Sequence, residues 1–177
     1  MEDIAKWVIN AVDLVINYKY IVSSIVVSLI AYIVGGAFTK EAKKSFWIGL
    51  LAFFITWILI ITVISRPTSY HYKYKLSPFW SYIMAFKKKK YSLLLENALN
   101  CILFVPYGAC FANIYTKKSY GKLLVEALAF SYLIEFLQLF LRRGIFELFD
   151  DPIHNSLGAL VAYFFVYKIK EDRGNGT

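Results

Sequence analysis

Phe46-Trp47-Ile48-Gly49-Leu50-Leu51-Ala52-Phe53-Phe54-Ile55-Thr56-Trp57-Ile58-Leu59-Ile60-Ile61-Thr62-Val63-Ile64-Ser65 runs for 20 residues without a charge. At a rise of about 1.5 Å per residue, a helix of that length covers the roughly 30 Å of a bilayer's hydrocarbon core. Its apolar residues fall on every face, as a helix among lipid tails and other helices requires. Outward from it, further largely apolar runs lie at Tyr20–Phe38, Leu93–Tyr115, Leu123–Leu141 and Pro152–Lys168. A closed barrel would need alternating polarity along many short strands, and that pattern is absent. The expected fold is therefore all-α, an integral membrane bundle of about five transmembrane helices.

Composition agrees. Of 177 residues, 59% are hydrophobic and only 18% charged, which excludes an ordinary soluble domain and extensive disorder. Twenty basic residues against twelve acidic ones give +8. Most of the basic residues stand between apolar runs, where they suit lipid headgroups, so the excess does not indicate nucleic acid. Met1-Glu2-Asp3-Ile4-Ala5-Lys6-Trp7 lacks the basic start of a signal peptide, and no lipidation motif is visible. Cys101 and Cys110, on one helix and about 13.5 Å apart, cannot bridge each other.

The connections differ in kind. Asn10, Asp13, Asn17 and Lys19 mark a segment expected at the interface, and Lys170 to Thr177 a polar tail expected to fray. Thr39–Ser45 and Thr116–Lys122 are short and carry three lysines each. Arg66–Ser92 is long, aromatic and basic, with Tyr70-His71-Tyr72-Lys73-Tyr74-Lys75 near its start and Lys87-Lys88-Lys89-Lys90 near its end. Such a segment suits the headgroup layer as an anchor, and can also cover a ligand. With either orientation the basic residues divide nine against eleven, so charge does not orient the chain.

Polar side chains inside a membrane need partners. Asn97, Asn100, Phe104 and Gly108 fall on one helical stripe about 80° wide. Glu135, Gln138 and Arg142 form a second stripe, and Asp151, Asn155, Gly158 and Ala162 a third. Arg66, Arg142, Arg143, Asp150 and Asp151 gather at the ends of the same helices. The three stripes can therefore meet in a polar pocket opening toward one membrane face. The alternative is helix glue. Gly108-x-x-x-Ala112 and Gly158-x-x-x-Ala162 are small-residue packing patterns, and an Asn or Gln bridge contributes about 0.6–2 kcal/mol. Glu135 argues for more than glue, because a carboxylate in the bundle needs a cation or a proton.

Pro106 removes a hydrogen bond within the third helix and is expected to kink it. His71 and His154 read as loop or interface histidines. Zinc-ligand spacing, a phosphate-binding glycine loop and a nucleophile elbow are all absent, so neither a metal nor a cofactor is expected.

Asn100-x-x-x-Phe104-x-Pro106-x-Gly108, then Glu135-x-x-Gln138, then Arg143…Asp150-Asp151-x-x-x-Asn155-x-x-Gly158 form an ordered set that resembles the VanZ-like family of small bacterial membrane proteins. Arg66 after a helix and Leu76-Ser77-Pro78-Phe79 match the family as well. The resemblance covers residues 60–168. It implies a VanZ-like membrane core there, preceded by an N-terminal segment over 1–59 and followed by a tail over 169–177. Two departures stand out. The Arg-to-Asp stretch is one residue longer, so Arg142 competes with Arg143 for the family position, and the first helix is an addition to a four-helix core.

The family resemblance implies a multi-pass protein of the bacterial cell membrane linked to teicoplanin-type glycopeptide tolerance, with no established reaction. The first expectation is a binding protein for a lipid-linked or lipoglycopeptide ligand, an anionic or polyprenyl-linked lipid among the partners. Its expected site comprises Arg66, Asn100, Glu135, Gln138, Arg143, Asp150, Asp151 and Asn155, with Arg66 and Arg143 forking onto a phosphate or carboxylate. The second is an enzyme acting on a lipid-linked phosphate or sugar, with Glu135 and Asp151 as acid and base. The third is a structural subunit of an envelope complex.

Overall fold

A computed structural model of the chain describes residues 18–115 and 117–174. The interfacial segment read at Asn10, Asp13 and Asn17 lies outside them. Five long helices form the bundle: α1 (Tyr18–Thr39), α2 (Ala42–Leu59), α4 (Ser92–Ile114), α5 (Tyr120–Leu141) and α6 (Asp150–Gly174). Four stretches are long and apolar enough to cross a membrane, namely Lys19–Thr39, Ala42–Ile64, Ser92–Ile114 and Tyr120–Leu141. The fifth long helix, α6, packs on α4 and α5, and turns Ile153, Leu157, Val161, Phe164 and Phe165 outward. Its last turns carry the polar end expected to fray as far as Gly174, the rest lying outside the described residues. Lys170 Nζ donates to the Ala112 carbonyl at 2.7 Å, and Lys118 pairs with Glu171 at 2.9 Å.

Between helices in lipid, burial from water supplies little, so backbone proximity and buried hydrogen bonds decide the packing. α4 and α6 run side by side in the same direction, bonded from Asn100–Asp151 at one end to Tyr115–Tyr167 at the other. Gly108 and Gly158 make their contact close: a Cβ at either position would run into the backbone of Ala159 or Cys101. α4 continues unbroken across Pro106. The aromatic core of Phe104, Phe111 and Tyr163 fills the centre, joined by Leu123, Ala127 and Ile134 of α5. α1 packs on α2, where Gly49 sits against the Ser28 carbonyl and Tyr32. Both cysteines are free.

α2 does not stop as a plain α-helix. Ile60–Ile64 is a π-turn, with Ser65 N–H bonded back to the Ile60 carbonyl at 2.9 Å. Beyond it, the segment read as a long loop contains a short helix, α3 (Trp80–Lys87), whose Ser81 and Ala85 are buried. Two two-residue strands, β1 (Tyr74–Lys75) and β2 (Phe146–Glu147), pair in parallel, Tyr74 beside Phe146 and Lys75 beside Glu147. Thr68 bridges to Arg143 in the antiparallel sense. The two polar connections are thereby tied together over the ends of α2, α4, α5 and α6.

Candidate functional site

That end of the bundle holds a cavity of about 470 Å³. Arg66, Trp80, Glu96, Asn97, Asn100, Gly144, Glu147 and Asp151 supply its polar wall, and Leu93, Leu95, Leu99 and Ile145 its apolar wall. The polar lining residues come from the first half of α4, from the starts of α3 and α6, and from the connections at this end of the bundle. The helices are thus brought together by the packing described above, and the cavity follows from where they start and stop.

Arg66 emerges two residues after the π-turn. Gly144 makes room for it: its φ is +100°, and a Cβ there would lie 2.7 Å from Arg66 Nη1. The guanidinium lies close enough to Glu96, Glu135 and Asp151 to act on all three electrostatically. Asn100 Nδ2 donates to Asp151 Oδ1 at 2.7 Å, which fixes the start of α6 on α4. Trp80 Nε1 donates to Glu147 Oε2 at 3.0 Å, and Lys75 Nζ sits 4.9 Å from the indole centroid. The Glu147 and Asp151 carboxyls stand side by side. Burial, reinforced by the Asp151 charge, pushes the Glu147 carboxyl up to about 8, against the opposing hydrogen bond from Trp80.

Four of the residues expected in the pocket brace it from behind. Glu135, 1% exposed, accepts the Glu147 N–H at 2.6 Å on Oε2. Gln138 Nε2 donates to the Thr62 carbonyl at 3.1 Å, satisfying one of the oxygens left open in the last turn of α2. Asn155 Nδ2 donates to Ser131 Oγ at 2.7 Å. Asp150, also 1% exposed, caps α3: its Oδ1 accepts Phe79 N–H at 2.7 Å, and its Oδ2 accepts Ser81 N–H at 2.9 Å and Ser81 Oγ–H at 2.5 Å. Phe79 holds a left-handed φ of 55°, a strained geometry that the charge-assisted bonds stabilise. Asn97 Nδ2 completes the chain by donating to Ser81 Oγ at 2.9 Å.

The two arginines after α5 go elsewhere. Arg142 ends the helix with a φ of 54°, its guanidinium 6.0 Å from the Tyr72 ring centroid. Arg143 donates from Nη1 to the Ile64 carbonyl, another oxygen of the distorted end of α2. Of the two arginines expected to fork onto an anion, only Arg66 lines the cavity. His154 is buried rather than interfacial, its Nε2 2.7 Å from Tyr82 OH and its Nδ1 2.5 Å from the Asp150 carbonyl. It fastens α3 to α6.

Trp80, Glu96, Gly144 and Glu147 were not among the expected site residues. Glu96 sits one residue before Asn97 on α4, and Glu147 lies in the connection carrying Asp150 and Asp151, so both carboxyls were visible as charges beside the stripes. Trp80 and Gly144 reach the cavity only through the pairing of two distant connections. Among the described residues, no group of three His, Cys, Asp or Glu side chains converges to hold a metal.

The sequence model of the VanZ/LLP1 family matches residues 46–170, well over half of the chain. The chain belongs to the VanZ/LLP1 family. The match begins within α2, so the VanZ/LLP1 core comprises most of α2 and everything through Lys170, while α1 precedes it. The cavity and its bracing residues all fall inside the matched stretch. No curated protein and no solved structure matches the chain.

Proposed function

We propose that this VanZ/LLP1 protein binds the headgroup of a lipid-linked or lipoglycopeptide ligand in the cavity. In this reading it works in the bacterial cell membrane and contributes to tolerance of teicoplanin-type glycopeptides. One observation carries the proposal: a cavity with one polar and one apolar wall, large enough for a headgroup, lies where four helices begin or end, with Arg66 seated on Gly144 and Asn100 bonded to Asp151 in the lining. A polar wall of this extent exceeds what helix association in lipid requires. Arg66 and Asn100 would orient the ligand, Asp151 would accept from it, and Glu135, Gln138, Asp150 and Asn155 would hold those groups in place. Arg66→Gln and Asp151→Asn, produced at wild-type level in a host that depends on the protein for tolerance, should return the host to the sensitivity of the empty vector. Full tolerance in both variants would end this reading.

A second reading, an enzyme acting on a lipid-linked phosphate or sugar, is favoured by the adjacent Glu147 and Asp151 carboxyls. An acid held near 8 beside a second carboxylate can deliver a proton at neutral pH. A product formed from a lipid-linked substrate by wild type, and not by Asp151→Asn, would place it first.

A further inference from the structure

We propose that the headgroup taken by this cavity carries a protonated amine, an inference that rests on the cavity being the binding site proposed above. The wall brings three carboxyl groups, Glu96, Glu147 and Asp151, against the single guanidinium of Arg66. Arg143, the other arginine expected to take an anion, is occupied at the Ile64 carbonyl. With Glu147 holding its proton at neutral pH, Glu96 and Asp151 still outnumber the one guanidinium, so a phosphate entering here would meet an excess of its own sign at contact range.

The free hydrogen-bonding capacity has the same bias. Asn100 gives a donor to Asp151 and keeps its carbonyl oxygen as an acceptor. Glu96, exposed at the mouth of the cavity, has no hydrogen bond within the protein among the described residues. A primary ammonium brings three donors to such acceptors. Trp80 adds an aromatic plane, held by its bond to Glu147, and its ring already attracts one ammonium, that of Lys75. The Glu96 carboxylate and the Trp80 indole in one cavity recognise an ammonium by charge and by the ring's quadrupole together.

Two sources can present this group: an aminophospholipid of the surrounding membrane, or the amino group of an incoming lipoglycopeptide. The full chain, in phosphatidylcholine nanodiscs, would be titrated with dodecylamine and with dodecyl phosphate at neutral pH, and complexes counted by native mass spectrometry. The expected result is saturable binding of one dodecylamine, weakened about tenfold by Glu96→Gln, the cost of one charge-assisted contact. Dodecyl phosphate should bind more weakly than the amine. Glu96 is at the cavity mouth with no bond to lose, so its substitution leaves the fold intact. Nanodiscs containing phosphatidylethanolamine then separate the sources: competition with dodecylamine identifies the lipid, and its absence, with competition from a soluble amino sugar, identifies the incoming ligand. Tighter binding of dodecyl phosphate, or amine binding indifferent to Glu96→Gln, overturns the proposal. The binding function itself would still stand if tolerance continued to require Arg66.

Discussion

Gly158→Ala tests the packing that creates the cavity. By helix propensity alone the change should stabilise α6 by about 1 kcal/mol, because glycine is a poor helix former. The contact with α4 predicts the opposite sign. A Cβ on Gly158 would lie 2.6 Å from the Cys101 carbonyl carbon and 2.8 Å from its Cα, both backbone atoms of a regular helix with no rotamer to yield. To reach ordinary contact at 3.4 Å the helices must separate by about 0.8 Å, and by more where the carbonyl oxygen points at the new methyl. Overpacking on this scale costs about 1–3 kcal/mol, and for a chain of this length each kcal/mol moves the melting point by about 2–4 °C. The assay is thermal unfolding of detergent-purified protein followed by tryptophan fluorescence. Gly121→Ala is the matched control, since a Cβ there has no neighbour within 4 Å and should raise stability by about 0.5–1 kcal/mol. A Gly158→Ala melting point at or above that of wild type would refute the close α4–α6 contact, and with it the account of how Asn100 meets Asp151.

Gly144→Ala should leave the protein in the membrane but abolish the tolerance proposed for it. The new Cβ displaces the Arg66 guanidinium and strains a left-handed backbone by about 1–3 kcal/mol, so the measurement is tolerance at matched protein level. The raised Glu147 carboxyl makes stability depend on pH. Its proton is held more firmly folded than unfolded, so the contribution is complete below about 4.5 and is lost as pH rises through about 8. Melting points across that range should fall toward alkaline pH in wild type and flatten in Glu147→Gln. Asp150→Asn removes the charge from the cap on Phe79 and Ser81, at about 1–3 kcal/mol, and loosens α3. Protease cleavage at Lys87 to Lys90 should then speed up while the other helices stay protected.

The spanning helices were legible because continuous apolar runs are a long-range signal that needs no partner to interpret. The polar stripes were legible for the same reason: Asn100, Asp151 and Asn155 repeat at helical spacing within such runs. α3 was not, because Trp80–Lys87 is eight residues of mixed character, helical by virtue of an Asp150 carboxylate 70 positions away. The division between Arg66 on the cavity and Arg143 behind it was equally hidden. Both are arginines at helix ends, and only the direction of the chain after the π-turn and after Leu141 separates them. Glu96 was passed over because it lies one position off its stripe, where a periodicity argument gives it no weight although a cavity mouth does.

The π-turn at Ile60–Ile64 behaves as a rotary setting. One residue beyond a regular α-helix turns everything after it by about 100° about the helix axis. Two of the carbonyls open at this end of α2 are taken up by Gln138 and Arg143, so the turn is latched by two side chains from the neighbouring helix and its exit. Deleting one residue from Ile60–Ile64 would let α2 run on as an ordinary helix, yet swing Arg66 away from Gly144 and release both latches. Whether the cavity has its cation is thus decided by the length of α2 to the nearest residue, at a point where the sequence is a featureless row of β-branched side chains.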